Sequence, residues 1–199
     1  MSNIITNTEV FDFMGTPSDV RTQQGDSITI LITTMQDEIE RNTGRKVIPT
    51  AFTDALFQQG LNCFIKDNLL FLQAEFRDIY SITTILEDGI ALTAGTDSDA
   101  TGDYFLDWRK GILIKIDSNW SLETLAIKIT GSLGIVDDPT ADSPASRSDI
   151  KQALKEMVAA KSGLWKNNVE TEDGSIEVIR TKISEDAKEV IKKYRLRDF

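Results

Sequence analysis

Histidine is absent from this 199-residue chain. That removes serine–histidine–aspartate and cysteine–histidine nucleophile activation, and every histidine-containing metal site. An enzyme built on this sequence would have to work with carboxylates, lysine or tyrosine alone. Cysteine occurs once, at Cys63, so no internal disulfide forms, and a reducing cytoplasm is the expected place of synthesis. Positive charge is scarce: 22 basic residues stand against 32 acidic ones, for a net charge of −10. Nucleic-acid binding draws its affinity from lysine and arginine clustered on phosphates, so this balance argues against it as the main task. It suits solubility and repulsion of DNA instead. No apolar run approaches the ~20 residues that span a bilayer. The opening MSNIITNTEV has neither the basic nor the apolar region of a secretory signal.

What is present begins with a hydrophobic share of 40%, enough for a core in one domain, either plain or with an elaborate insertion. The stretch Ile79–Ile116 is rich in Ile, Thr, Tyr and Phe, which suit a half-buried pleated surface. Asp88-Gly89 inside it is a strong type I′ hairpin signal, because both central residues need positive φ. A second break falls at Trp108–Gly111, and a polar loop over Ala94–Asp103. These features predict a small antiparallel meander.

Helices are expected on both sides of it. Asn7 caps a short one over Thr8–Met14, which Gly15 ends. Thr16–Gly25 reads as a polar connector. Asp26 or Ser27 caps a helix whose apolar face is Ile28, Leu31, Ile32, Met35 and Ile39, with Gly44 and Pro49 marking its stop. Ala51–Phe64 fits helix or extended chain. Leu69–Leu72 reads as a strand, and Leu125–Thr130 alternates as a strand does. Gly131–Pro144 reads as a loop. Pro144, Ser146 and Asp149 mark the start of a helix with Ile150, Leu154, Met157, Val158, Leu164 and Trp165 on its apolar face. After a polar break over Asn167–Gly174 and a short extended piece at Ile176–Ile179, Ser184 caps a last helix. Its ends carry Glu185 and Asp186, then Lys192, Lys193 and Arg195, as the helix dipole favours.

Four patterns bear on chemistry. Asp97, Asp99, Thr101 and Gly102 match the first half of an EF-hand calcium loop, but position twelve is Trp108 rather than a bidentate acid. A solvated turn-rich loop explains the same residues. Ser148-x-x-Lys151 has Ser-Lys acylase spacing without the accompanying motifs, and helix capping accounts for it. Trp108, Trp120 and Trp165 fit a base or sugar platform less well than they fit packing. The C-terminal cluster Lys188, Lys192, Lys193, Arg195 and Arg197 is the basic patch of an acidic chain, and Val190, Ile191, Tyr194, Leu196 and Phe199 lie beside it. That combination suits a helix-in-groove contact with an acidic partner as well as it suits a solvated helix face.

Several short motifs carry a resemblance. The segments IERNTGR (Ile39–Arg45), IYSITTILEDG (Ile79–Gly89), DYFLD (Asp103–Asp107) and SDIKQALKEMVA (Ser148–Ala159) follow one another in the order seen in head–tail connector, or adaptor, proteins of long-tailed bacteriophages. The sequence resembles that family over roughly residues 5–166. It departs from the family at Arg77-Asp78, where proline often precedes the strand. The resemblance implies a non-enzymatic structural virion protein of the neck, without cofactors. It implies a homo-oligomeric ring of about a dozen copies under the portal protein, joined below to a downstream neck or tail-completion protein. Genomic DNA would pass through its channel without specific binding, and no membrane would be involved. It also implies portal contact by the C-terminal segment, and the basic and apolar residues there, Lys188, Ile191, Lys192, Tyr194, Arg195, Leu196 and Phe199, are the expected contact residues. An acidic calcium- or sugar-binding module built on Asp97–Asp103 is the alternative.

The expected fold class is α+β: a small helical bundle core, an inserted antiparallel β-meander domain and a C-terminal helix. Residues 1–66 would supply the first core helices, 67–135 the insertion, and 136–199 the remaining helices and the docking segment. The core itself would pair Asp26–Thr43 with Arg147–Lys166.

Overall fold

The computed structural model describes residues 3–72, 74–95, 101–123, 126–137, 145–171 and 174–195. The fold class is α+β, and the chain forms two units. Met1–Thr43 and Ser146–Phe199 make the first, and Gly44–Ala145 is inserted between them as the second.

The first unit opens with α1 (Asn7–Met14). Its cap is Thr6 rather than Asn7: the Thr6 hydroxyl accepts from the Glu9 N–H while the Glu9 carboxylate accepts from the Thr6 N–H. Gly15, at φ 65°, ends the helix in the left-handed conformation. Asn7 is free to act elsewhere. Its side-chain amide donates to the Gly25 carbonyl at 2.9 Å and to the Thr29 hydroxyl at 2.8 Å.

Those bonds land on a helix where a connector was expected. Helix α2 runs over Ser18–Thr43, so Asp26 and Ser27 lie inside it and cap nothing. Pro17 just ahead of its first turn suits a helix start, and Arg and Gln residues outweigh the single Gly25 in propensity. The Arg21 guanidinium ties the new first turn down, donating to the Thr16 carbonyl and pairing with Asp12 at 2.6 Å. Ile28, Ile32, Met35 and Ile39 are buried on one face of α2. That face packs on α3 (Ser148–Ser162), which buries Ile150, Leu154, Met157 and Val158.

No side-chain cap opens α3, and Asp149 has a different use, described below. Gly163 (φ 68°) ends it, so Trp165 lies beyond the helix, where it packs on Phe13 with ring centroids 5.2 Å apart. The expected polar break after it is a hairpin of β9 (Lys166–Thr171) and β10 (Gly174–Ile179). Helix α4 (Glu185–Tyr194) then packs on α3 and α2.

The second unit holds two four-stranded antiparallel sheets rather than one meander. The first takes β1 (Thr50–Phe57), β4 (Ile79–Glu87), β5 (Ile90–Leu92) and β8 (Ile127–Leu133) in the order β1-β8-β4-β5. The second takes β2 (Cys63–Lys66), β3 (Leu69–Leu72), β6 (Tyr104–Asp107) and β7 (Ile112–Lys115) in the order β2-β3-β7-β6. The Ile79–Ile116 stretch is therefore cut in two, its first hairpin in one sheet and its second in the other. Phe57, Ile79, Ile85, Ile127 and Ile129 from one sheet and Cys63, Leu70, Tyr104 and Leu113 from the other share a single core.

The ambiguous Ala51–Phe64 resolves into β1 and the start of β2. A boundary at residue 67 would split the β2–β3 hairpin and strip β8 of its partner β1, so the insertion begins at Gly44 instead. Of the alternating segment, Leu125 lies outside the described residues, while Ile127 and Ile129 point inward as expected. Strand β8 continues through Gly131, which a loop was expected to hold. A Cβ there would meet the Ser81 carbonyl at 2.4 Å, so the glycine marks close backbone approach inside the sheet.

The Asp88-Gly89 turn behaves as its sequence predicts. Both residues have positive φ, 51° and 81°, and Glu87 pairs directly with Ile90. At the entry to β4, Arg45 from the TGR motif grips Asp78 with two hydrogen bonds, its Nε to Oδ2 and its terminal nitrogen to Oδ1. The position where a proline was expected is thus held by a bidentate ion pair.

Candidate functional site

The C-terminal helix was the expected contact segment. Ser184 caps it as predicted, accepting from the Ala187 N–H, and its own N–H donates to Glu156 at 3.0 Å. Lys192 and Arg195 are exposed, and Ile191 is half-buried. Lys188 pairs with Glu185 one turn back at 2.5 Å. Leu196, Arg197 and Phe199 lie outside the described residues.

Tyr194 does not belong with the contact residues. It is 7% exposed, and its hydroxyl donates to Asp149 Oδ2 at 2.8 Å. Arg147 lies 5.7 Å above its ring, and Lys193 reaches the same carboxylate at 3.4 Å. Burial works to raise the Asp149 pKa. The Tyr194 hydroxyl, Arg147, the Ile150 N–H and Lys193 outweigh it and hold the carboxyl below its ordinary range. This cluster locks α4 onto α3, so Asp149 and Tyr194 are internal fasteners.

Beside α4 lies a groove of about 410 Å³ that the sequence did not point to. Met35, Met157, Ala160 and Ile183 form its apolar floor, and Lys161, Lys182 and Lys188 stand around it with Glu38. These residues come from α2, α3, the chain leading into α4 and α4 itself. Their separation in sequence is why no local pattern revealed them.

In the second unit, the end carrying the Asp88-Gly89 turn is held by a buried ion pair. Lys115 Nζ donates to Glu87 Oε2 and to the Asn119 carbonyl, the latter at 3.0 Å, and it lies 5.5 Å from the Trp120 ring. The other Glu87 oxygen accepts from the Ser121 N–H at 2.7 Å. The Asp88 N–H donates to the Ala126 carbonyl at 2.8 Å. The β4–β5 turn and the segment around Ser121–Glu123 are thereby fixed side by side. At this end Ile90 and Leu122 are each 69% exposed, next to exposed Asp88 and Glu123.

Several remaining candidates have local partners in the fold. Asp103, the last residue of the calcium-like loop, accepts from the Thr93 N–H and hydroxyl, and these bonds hold its pKa below the ordinary value. Asp97 and Asp99 lie outside the described residues. Among the described residues, no group of three or more acidic or cysteine side chains is placed to hold a metal ion. Trp120 and Trp165 are buried, and Trp108 is half-buried with Arg109 over its ring at 5.1 Å. Ser148 and Lys151 open α3. Burial pushes the Cys63 thiol up to about 11, where it is a poor nucleophile. No helix among the described residues is long and apolar enough to cross a membrane.

The edges of the second sheet are also blunted. On β2, the Gln59 side chain accepts from the Ile65 N–H and the Gly60 N–H donates to the Cys63 carbonyl. On β6, Gly95 and Thr93 engage the backbone of Tyr104. Edges capped in this way resist strand addition by another chain.

No family model and no curated protein matches this sequence. Among solved structures, a chain from the "Neck of empty GTA particle computed with C6 symmetry" has a similar fold. The two superpose with a TM-score of 0.55 at 14% identity, over 98% of this chain and 92% of that one. At that identity the likeness is one of fold.

Proposed function

We propose that this chain is a structural subunit of the neck of a phage-like particle, and not an enzyme. Copies of it close into a ring that joins the portal to the next neck or tail component, and DNA passes through the channel. The observation that carries this reading is the fold shared, along nearly the full length of both chains, with a chain from the neck of a GTA particle. A ring of about a dozen copies is compatible with the six-fold symmetry named for that particle. The adaptor-like motifs support it independently, since they lie in the order that the resemblance requires.

The charge of −10 fits a channel through which phosphates must slide without being held. The basic end of α4 then faces a protein: exposed Lys192 and Arg195, with Ile191, Leu196 and Phe199 as apolar companions, dock on the portal. Electron microscopy of the purified chain mixed with its portal tests this. Rings, or collars on the portal, are expected. A strictly monomeric chain that leaves the portal bare would overturn the reading.

A further inference from the structure

The exposed acidic end of the second unit and the lysine-bordered groove of the first are complementary surfaces. One presents two aliphatic side chains, Ile90 and Leu122, beside the carboxylates of Asp88 and Glu123. The other offers an apolar floor with three lysines against one carboxylate, Glu38. We propose that the Ile90–Leu122 knob of one copy of this chain seats in the Met35–Met157–Ile183 groove of the next copy, with Asp88 and Glu123 paired to Lys182 and Lys188. The proposal rests on the ring reading and names the surface that closes the ring.

Three observations support this occupant over others. The first is charge. In a chain with ten more acidic than basic side chains, a groove with a surplus of lysines is the place where a second copy meets attraction rather than repulsion. Among the described residues, no side chain pairs with the ammonium of Lys161 or of Lys182.

The second is size. About 410 Å³ lies within the range of pockets that enclose a compact apolar group, about 300–1,000 Å³. Two exposed branched side chains, one opening β5 and one in the Ser121–Glu123 segment that Glu87 ties to the end of β4, make such a group.

The third is rigidity. The buried Glu87–Lys115 pair, with the Ser121 and Asn119 backbone bonds, holds the β4–β5 turn and the Ser121 segment in place before any contact, so little ordering entropy is lost on docking. Knob and groove are different surfaces of one chain, so the contact is head-to-tail, the kind that generates a ring when its rotation closes.

Cross-linking of the full chain tests the contact even where the free protein is mostly monomeric. A copy carrying Ile90→Cys is mixed with a mass-labelled copy carrying Thr181→Cys, at the groove edge, under mild oxidation. Cys63 is buried and does not compete. The mixed disulfide is expected to form about tenfold faster than with a control copy carrying Ile30→Cys, which is exposed on α2. Lys182→Glu with Lys188→Glu in the groove copy should remove that advantage, and Asp88→Lys with Glu123→Lys in the knob copy should restore it. Equal rates for the groove and control copies, or charge reversal without effect, would overturn the proposal. Collars on the portal alongside equal rates would leave the ring standing and sink only this interface. Absence of collars together with equal rates would sink the ring as well.

Discussion

Two carboxylates, one half-buried and one buried, show how much a single residue decides here. Asp149 is charged at neutral pH because the Tyr194 hydroxyl and neighbouring cations outweigh its burial. Tyr194→Phe deletes a hydrogen bond to a charged group and should cost about 1.5–3 kcal/mol, read as a lowered melting midpoint at pH 7. The sign with pH follows from the depressed folded pKa. The unfolded carboxyl titrates near about 3.9, so the stabilisation is full above that value and is lost as pH falls through the folded one. The gap between wild type and Tyr194→Phe should therefore close in acid. A gap that stays constant down to pH ~3 would remove the hydrogen bond from the account. Glu87 makes the parallel case in the second unit. Glu87→Ala strands the Lys115 ammonium in a buried site and should destabilise by about 3 kcal/mol. Replacing both partners with methionine should recover much of that loss, because the desolvation of two charges goes with them. Denaturant titration of the two single variants and the double variant checks the pairing.

At the scale of elements, α2 is the instructive case. Helix start and stop signals placed its end correctly at Gly44 but its beginning too late. Gly25 in TQQG looked like a break, and the tertiary bonds from Asn7 and Arg21 that hold this first part in place could not be seen locally. A Cβ at Gly25 would meet nothing closer than the Asn7 amide at 4.0 Å. Gly25→Ala should therefore stabilise the chain by about 0.5–1 kcal/mol, measurable by chemical denaturation. A loss of stability would mean that the carbonyl geometry Asn7 uses depends on glycine. The sheets teach a similar lesson. Hairpins were legible from Asp88-Gly89 and from the Trp108–Gly111 break, because turn chemistry is local. Which sheet each hairpin joined was not legible, because β8 pairs with both β1 and β4 across long stretches of chain.

At the scale of the whole molecule, the question is which surfaces face other proteins. Lys192→Glu with Arg195→Glu alters two exposed side chains and should leave the melting midpoint unchanged while weakening portal binding about tenfold or more, which corresponds to 1.4 kcal/mol or more. Unchanged affinity would move the portal contact away from α4. So would an assembled ring in which both side chains point into the channel, where they would hold DNA phosphates.

By itself the sequence determined the α+β class, the paired helices flanking an insertion, the Asp88-Gly89 turn and the Ser184 cap. Each of these depends on residues a few positions apart, where propensity and periodicity act. The absence of histidine and the acidic balance narrowed the chemistry in the same direct way. Tertiary structure alone decided that Tyr194 is a fastener rather than a contact, that the insertion begins at Gly44, and that Met35, Met157, Ile183, Lys161, Lys182 and Lys188 share one groove. Those outcomes depend on which distant segments bury against each other. Burial is a property of the packed chain, and no local stretch of sequence carries it.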